Sequence, residues 1–419
     1  MTAAPTHKPR IFIAMHYLEI GGAETGLTGL LSALRPERVE VDLFVYAHRG
    51  PLMKYIPSWV NLLPENSAYR LTEAPIKEVL RRGRLDIAAA RLAAKFDYRR
   101  FMRKASGKFG HSIFSFTARR LDRVLPAMSS KEYDLAISFI HPHHYVLHHV
   151  KARRKMAWIH TDYSTIGLHW PTEAPVWSAY DYIAALSAEN AAALTANIPE
   201  AAGKIRLIDN ALPAEMMRRR ALEGEAPELT ADHFNILSVG RLSDAKNYVK
   251  VPAMMKRIVE LTGRSDLRWY IIGGGNEAYE AAIRQAIAET GMEKYVVLLG
   301  ERANPYPYIR ACSLYAQPSL YEGRSVAVRE AQILGRPVAI TAYPSARAQI
   351  VDGEEGVIVP LDTEGAAQEM ARLIADPGRL EKIAETNAGR DFSAATETAE
   401  KIYAIVNSIT TDDDDDHER

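Results

Sequence analysis

Short apolar runs recur along the chain, each closed by a turn signal and followed by apolar positions spaced three and four apart. The first run is Arg10–Met15. Gly21-Gly22-Ala23-Glu24 then opens a helix pattern through Leu27, Leu30, Leu31 and Leu34. Further strand patterns fall at Val39–Tyr46, Trp59–Leu63, Tyr133–Ile140, Lys155–His160, Tyr182–Ser187 and the run from Lys204. A second series starts at Phe234 and continues at Arg268, Tyr295, Tyr315–Gln317, Pro337–Thr341 and Gly356–Pro360. Helical spacing covers 363–376, 378–388 and 396–408. Strands alternating with helices predict an α/β fold with parallel sheets. A strand, a Gly-Gly turn and a helix make a Rossmann-like opening, so two Rossmann-like domains are expected. The expected boundaries are 1–212 for the first domain, 213–232 for a polar linker, 233–392 for the second domain, and 393–410 for a last helix. Five consecutive aspartates mark 411–419 as an acidic, disordered tail.

The densest chemistry lies in Pro318–Pro337, which reads as strand end, loop, helix and the start of the next strand. Ser325 stands where a helix N-cap is expected. Gly335 stops the helix and Pro337 forbids its continuation. Glu322 falls in the loop and Glu330 about one and a half turns into the helix. Two carboxylates so spaced can face one ligand over a helix N-terminus, whose free N–H groups suit phosphate. The backbone around Gly323, Arg324, Ser325 and Val326 would supply those groups. Arg241 and Lys246 straddle the loop after the Phe234 strand, and two cations there can hold a diphosphate by charge-assisted hydrogen bonds.

Composition changes this picture little. With 419 residues, 47% of them hydrophobic, the chain is long enough for two domains. Basic and acidic residues balance at 52 each, so global charge gives no reason to expect nucleic acid. The single cysteine, Cys312, excludes an internal disulfide. Residues 77–123 depart from the balance, with fourteen basic residues against four acidic and apolar positions interleaved at helical spacing. That stretch is either a surface for anionic lipid or an anionic acceptor, or a solvated helical face. Residues 141–149 hold five histidines, and His144 and His148 share a helical face. No carboxylate or cysteine nearby completes a metal set, so a polar loop is expected there and no metal is assigned. No apolar run is long enough for a membrane span, the first residues do not read as a signal peptide, and a cytoplasmic protein is expected.

The Ser-Leu-Tyr-Glu-Gly run, a second Glu eight residues after the first, and Ala-Gln-Ile-Leu-Gly-Arg-Pro-Val together resemble the donor-site signature of retaining glycosyltransferases of the two-Rossmann-domain (GT-B) type, glycosyltransferase family 4 above all. The resemblance implies two domains facing each other across a cleft, with the last helix crossing back to the first domain. It implies that Glu322 contacts the transferred sugar, Glu330 the ribose hydroxyls, and Arg241 with Lys246 the diphosphate. The loop carrying Gly22 and Glu24 would lie near the donor phosphates and the acceptor. His160 and Asp162, in a Trp-x-His-x-Asp context, would lie beside the transferred sugar and the acceptor, and Arg302 near the base. Arg324 and Arg329 depart from the apolar residues common at their positions in the family.

The expected activity is transfer of a hexose, with retention, from a nucleoside-diphosphate sugar of UDP or GDP type to a hydroxyl of a glycan or lipid-linked acceptor. Cell-surface polysaccharide assembly is the context by analogy, peripheral on the inner membrane face. No cofactor or metal is expected. Two other readings stay open: a sugar-nucleotide epimerase or phosphorylase on the same fold, and a non-catalytic nucleotide-sugar binder.

Overall fold

In a computed structural model of the chain, the described residues are 8–105, 109–161, 163 and 166–417, with the backbone alone for 410–417. The chain divides into two compact units. The first comprises 1–212 with 394–419, and the second 213–393.

Seven strands build the first unit: β1 (Arg10–Met15), β2 (Glu40–Val45), β3 (Asn61–Leu62), β4 (Glu132–Ser138), β5 (Lys151–Ile159), β6 (Tyr182–Ala185) and β7 (Ile205–Leu207). They form one sheet in the order β3-β2-β1-β4-β5-β6-β7, and every pairing is parallel. Strand β1 shows why these residues choose this layer. Ile11, Ile13 and Met15 enter one apolar cluster, and Phe12 and Ala14 another on the opposite face. Both faces are covered, so the strand reads as a continuous apolar run. The strand expected over Trp59–Leu63 is reduced to the two residues of β3. Pro57 and Pro64 bracket it, and an edge position tolerates so short a strand.

The basic stretch folds as three helices, Ile76–Arg81, Leu85–Met102 and Ser112–Leu121. The final helix, Ala395–His417, returns to the first unit and packs on the helix Gly22–Ala33. Ile402 and Val406 are fully buried in the β1 cluster. Tyr403 Oη accepts the Arg35 amide at 2.6 Å, and Thr398 Oγ1 donates to Asp209 O at 2.9 Å. The acidic tail expected over 411–419 falls where side chains lie outside the described residues. The backbone up to His417 continues the helix.

Six strands build the second unit: β8 (Phe234–Val239), β9 (Leu267–Ile272), β10 (Val296–Gly300), β11 (Leu314–Gln317), β12 (Val338–Thr341) and β13 (Val357–Val359). Their order is β10-β9-β8-β11-β12-β13, again all parallel. The stretch 213–232 is not simply a linker. It holds the helix Ala214–Arg220, which packs on the helices Tyr306–Ala311 and Val326–Ile333. Met217 and Arg220 are buried, and apolar Met217 is what the polar reading of this stretch passed over.

In each sheet the strand order reverses once, between β1 and β4 and between β8 and β11. Ligands of doubly wound sheets bind outside the carboxyl ends of the strands at such a reversal. Among the described residues no helix is long and apolar enough to cross a membrane.

Candidate functional site

The second unit's crevice is made by the loop after β8 and the loop after β11. The Leu320 amide donates to Ala245 O at 2.8 Å and ties the two loops together. Beneath them, Ser238 Oγ on β8 donates to Ala316 O on β11 at 2.6 Å, and Trp269 Nε1 donates to Ser238 Oγ at 2.9 Å. The neighbouring loop after β9 needs glycine where it meets the loop after β8. A Cβ on Gly273, which has φ 158°, would stand 1.9 Å from Gly240 O.

Glu322 is the centre of the crevice. Its Oε1 accepts from Lys246 Nζ at 2.6 Å, from Ser319 Oγ at 2.6 Å and from Gln317 Nε2 at 3.3 Å. Ser345 Oγ donates to the Glu322 carbonyl at 2.8 Å. Lys246 sits in a 3-10 turn, Asp244–Lys246, closed by Asn247 in the left-handed region. The two expected cations therefore differ. Lys246 is half-buried and ion-paired with Glu322. Arg241 is exposed and has no side-chain partner among the described residues. An arginine so placed keeps its five donors for an incoming anion.

Ser325 takes the N-cap position of the helix Val326–Ile333, but its side chain caps nothing, and its Oγ is buried without a partner. Gln349 does the holding instead. Its Oε1 accepts the Ser325 amide at 2.8 Å, and its Nε2 donates to Ser325 O at 3.3 Å. That corrects the expectation for the backbone around Gly323 to Val326, because the Ser325 N–H is already committed. Arg324 and Gly323 are half-buried beside it.

Glu330 is buried one turn further on and accepts from Tyr306 Oη at 3.0 Å. Burial pushes its carboxyl up to about 7, against the pull of Tyr306 and of Arg220. Arg220 lies over the Tyr306 ring, 5.0 Å from its centroid. Arg302 lies on the other side of β9. It follows β10, the edge strand two places from β8, and pairs with Glu228 Oε1 at 3.0 Å and with Tyr308 Oη at 3.2 Å. Tyr308 Oη in turn donates to Glu228 Oε2 at 2.9 Å.

In the first unit, Gly22 begins the helix Gly22–Ala33 after β1, and Glu24 lies in its first turn. The Glu24 carboxylate folds back over the helix start. A Cβ on Gly21 would come within 2.3 Å of Glu24 Oε2. His160 follows β5, stacked on Trp158 and against Phe139 with centroids at 6.0 and 4.7 Å. Burial drives its pKa down to about 3, despite a backbone hydrogen bond at Phe139 that favours the charged form. It is a neutral imidazole, able to orient a hydroxyl but not to carry a proton as imidazolium. Asp162 lies outside the described residues.

The histidine-rich stretch resolves into separate pairings. His141 Nε2 meets the buried Glu173 carboxylate at 3.1 Å, and His143 Nδ1 meets Ser138 Oγ at 2.8 Å. His148 and His149 both pair with Asp122, at 2.7 and 3.2 Å. Burial alone would raise the Glu173 carboxyl, but His141, His144 and Ser115 hold it down to about 2. Among the described residues no three acidic, histidine or cysteine side chains are grouped to hold a metal ion.

Comparison with known proteins agrees with this geometry. Residues 233–376 match the family model described as glycosyl transferases group 1. A Campylobacter jejuni relative is 30% identical over 209 residues, 50% of this chain and 54% of its own length. It is an N-acetylgalactosamine-N,N'-diacetylbacillosaminyl-diphospho-undecaprenol 4-alpha-N-acetylgalactosaminyltransferase. An Escherichia coli UDP-Gal:alpha-D-GlcNAc-diphosphoundecaprenol alpha-1,3-galactosyltransferase is 25% identical over 163 residues, 38% of this chain and 42% of its own. The chain thus spans about half the length of the curated relatives it matches. Among solved structures, HepE of Anabaena in complex with UDP-glucose aligns with a TM-score of 0.65 at 15% identity, covering 96% of this chain and all (100%) of that one. These matches give the chain the fold of GT-B glycosyltransferase structures, and residues 233–376, within the second unit, are similar to group 1 glycosyl transferases.

Proposed function

We propose that the protein transfers a hexose from a UDP-sugar to a hydroxyl of a lipid-diphosphate-linked glycan, with the anomeric configuration retained. The observation that carries this reading is the Lys246–Glu322 pair at the β8/β11 reversal, with Glu330 buried in the helix Val326–Ile333 that follows the Glu322 loop. The acceptor class is drawn from the C. jejuni and E. coli relatives, whose substrates are named as diphospho-undecaprenol glycans. The nucleotide is drawn from the UDP-glucose held by the Anabaena neighbour.

In this mechanism the C1–O bond to the diphosphate breaks and its electron pair passes to the phosphate oxygen. The acceptor hydroxyl attacks C1 from the same face, and its proton goes to that phosphate oxygen. The charge developing on the diphosphate is met by Arg241 and Lys246, which play the electrostatic part of an anion clamp. Glu322, pinned by Ser319 and Gln317, is preorganised to accept hydroxyls of the sugar. Glu330 is placed to accept from the ribose. Gly22, Glu24 and His160 keep the roles the resemblance implies at the phosphates, acceptor and sugar, with His160 acting as a neutral hydrogen-bonding group. The cations supply the positive charge that a divalent metal supplies elsewhere, so turnover is expected to persist in EDTA. The helices over 77–123 would hold the protein against anionic lipid at the membrane face.

Incubation with UDP-N-acetylhexosamine or UDP-hexose donors and a short-chain polyprenyl-diphosphate glycan tests this reading. The expected result is a product one sugar longer with an α linkage from an α donor. A β linkage would overturn retention. Release of sugar phosphate, or epimerised UDP-sugar without acceptor, would place the chain with the phosphorylases or epimerases instead.

A further inference from the structure

The first unit has its own cavity, of about 890 Å³, at the carboxyl ends of β1 and β4. His16 after β1 and His141 after β4 stand at its floor, so it opens at that sheet's strand-order reversal. One side is built by the helix Leu85–Met102. Arg91, Lys95 and Arg99 all line the cavity, and their spacing of four residues puts them in one row along that helix. His111 adds a further imidazole.

The state of these cations distinguishes them from neighbours. Arg84 is paired with Asp86, and Arg120 with Asp97. Arg91 is tied to the carbonyls of Leu71 and Ala74. Lys95 and Arg99 have no side-chain partner among the described residues, and both are exposed. The one carboxylate lining the cavity, Glu73, is already matched by His16 at 2.8 Å, and that hydrogen bond holds its carboxyl below the usual range. Positive charge is therefore left over inside the cavity.

The rest of the lining is mostly apolar, including Ile113, Leu121, Ile140 and Leu168. It runs outward to Phe114, which is 57% exposed. On the cation-bearing helix, Leu92 and Phe96 are 61% and 67% exposed. A row of unmatched cations beside apolar surface is suited to a ligand with an anionic group joined to an apolar chain. A sugar hydroxyl alone would leave the cations unused, and a bare anion would leave the apolar lining wet.

We propose that this cavity binds the phosphate or diphosphate group of an amphipathic acceptor, with Lys95 and Arg99 on the anion and the apolar lining on the adjoining chain. The proposal rests on the glycosyl-transfer reading only for what the ligand is used for. Binding itself is a separate matter and can be measured without a sugar donor. The probes are farnesyl diphosphate and inorganic pyrophosphate, titrated into the whole protein by calorimetry. The variants are Lys95→Glu/Arg99→Glu and Lys246→Ala.

Wild type is expected to bind farnesyl diphosphate at least about tenfold more tightly than pyrophosphate. The double charge reversal is expected to weaken farnesyl diphosphate by about tenfold or more, with an unchanged melting curve because both side chains are exposed. Lys246→Ala is expected to leave that binding intact, which separates this site from the second unit's crevice. If Lys246→Ala abolished it instead, the diphosphate would be sitting in the second unit and the proposal would fall. Equal affinity for the two probes would mean a free-phosphate site and would overturn it too. So would a double variant that binds like wild type. Loss of UDP binding with farnesyl diphosphate binding intact would count against the donor reading alone.

Discussion

The two strand-order reversals of this molecule have the same topology and opposite contents. At β8/β11 the loops are bonded to each other, and Glu322 already has Lys246, Ser319 and Gln317 around one oxygen. At β1/β4 there is an open cavity of about 890 Å³ with unpartnered cations and a mainly apolar lining. The first arrangement has its geometry set before a ligand arrives, which suits one small polar ligand of fixed shape. The second has charge and surface but little internal bonding, which suits ligands that vary along their length. The same kind of strand-order reversal thus carries a bonded crevice in one unit and an open cavity in the other, through the residues placed on the loops rather than through the sheet.

The comparison breaks most visibly if the bonded crevice is cut. Glu322→Ala removes the shared acceptor and leaves Lys246 unpaired, and transfer is expected to fall about a hundredfold or more. The fold should be little affected, since Glu322 is on a loop. Steady-state turnover beside a melting curve checks both. A loss of less than about threefold would detach Glu322 from the chemistry.

A cut in the first unit's core should do the reverse. Ile402 is fully buried between the last helix and the β1 cluster, and Ile402→Ala is expected to cost about 2–4 kcal/mol of stability. Below the melting point UDP affinity should stay as in wild type. Urea unfolding and a UDP titration test this together.

Glu330 gives the comparison a pH signature. Its folded carboxyl titrates near 7 against an ordinary value of 4.5, so the folded state holds a proton there that the unfolded state has lost. Its contribution to stability is full below about 4.5 and is lost as pH rises through about 7. Glu330→Gln keeps the shape and removes the titration. It should stabilise the protein by about 1–3 kcal/mol relative to wild type at pH 8, and much less at pH 5. A ribose that donates to Glu330 needs the carboxylate. UDP affinity should therefore weaken as pH drops below 7 in wild type and stay flat in Glu330→Gln. Melting curves and titrations at the two pH values check each half.

The smallest effect expected is at Arg302. Its pairing with Glu228 and Tyr308 is partly exposed, and Arg302→Ala should cost less than about 1 kcal/mol of stability. UDP affinity should not change. A tenfold loss would bring the β10 edge back into the nucleotide site and blur the contrast between the two crevices.

Much of this was legible in the sequence, for definite reasons. The alternation of strand runs and helix patterns fixes parallel α/β layers, because both faces of strands such as β1 must be apolar. Glu322 and Lys246 could be placed on loops after strands that are obvious from hydrophobicity, and Glu330 in the helix that follows, while their roles came from the family resemblance. What could not be read is how those loops are held. Gln317, Ser319, Ser345 and Gln349 are ordinary polar residues locally, and Gln349 acts on Ser325 across 24 positions of chain. Ser325 does take the N-cap position, but its hydroxyl caps nothing, and the distant Gln349 amide holds its backbone. The linker reading of 213–232 weighted its charges and overlooked Met217. The basic stretch was visible as charge, but its division into paired arginines and an unpaired row at Lys95 and Arg99 depends on which helices come together.

The most direct test of the central claim is calorimetric titration of the whole protein with UDP, beside Lys246→Ala and Lys95→Glu/Arg99→Glu. Saturable binding to wild type, weakened about tenfold or more by Lys246→Ala and unchanged by the double variant, is the predicted result. Absence of UDP binding to the folded protein, or binding indifferent to Lys246, would contradict the assignment of the nucleotide to the second unit's crevice.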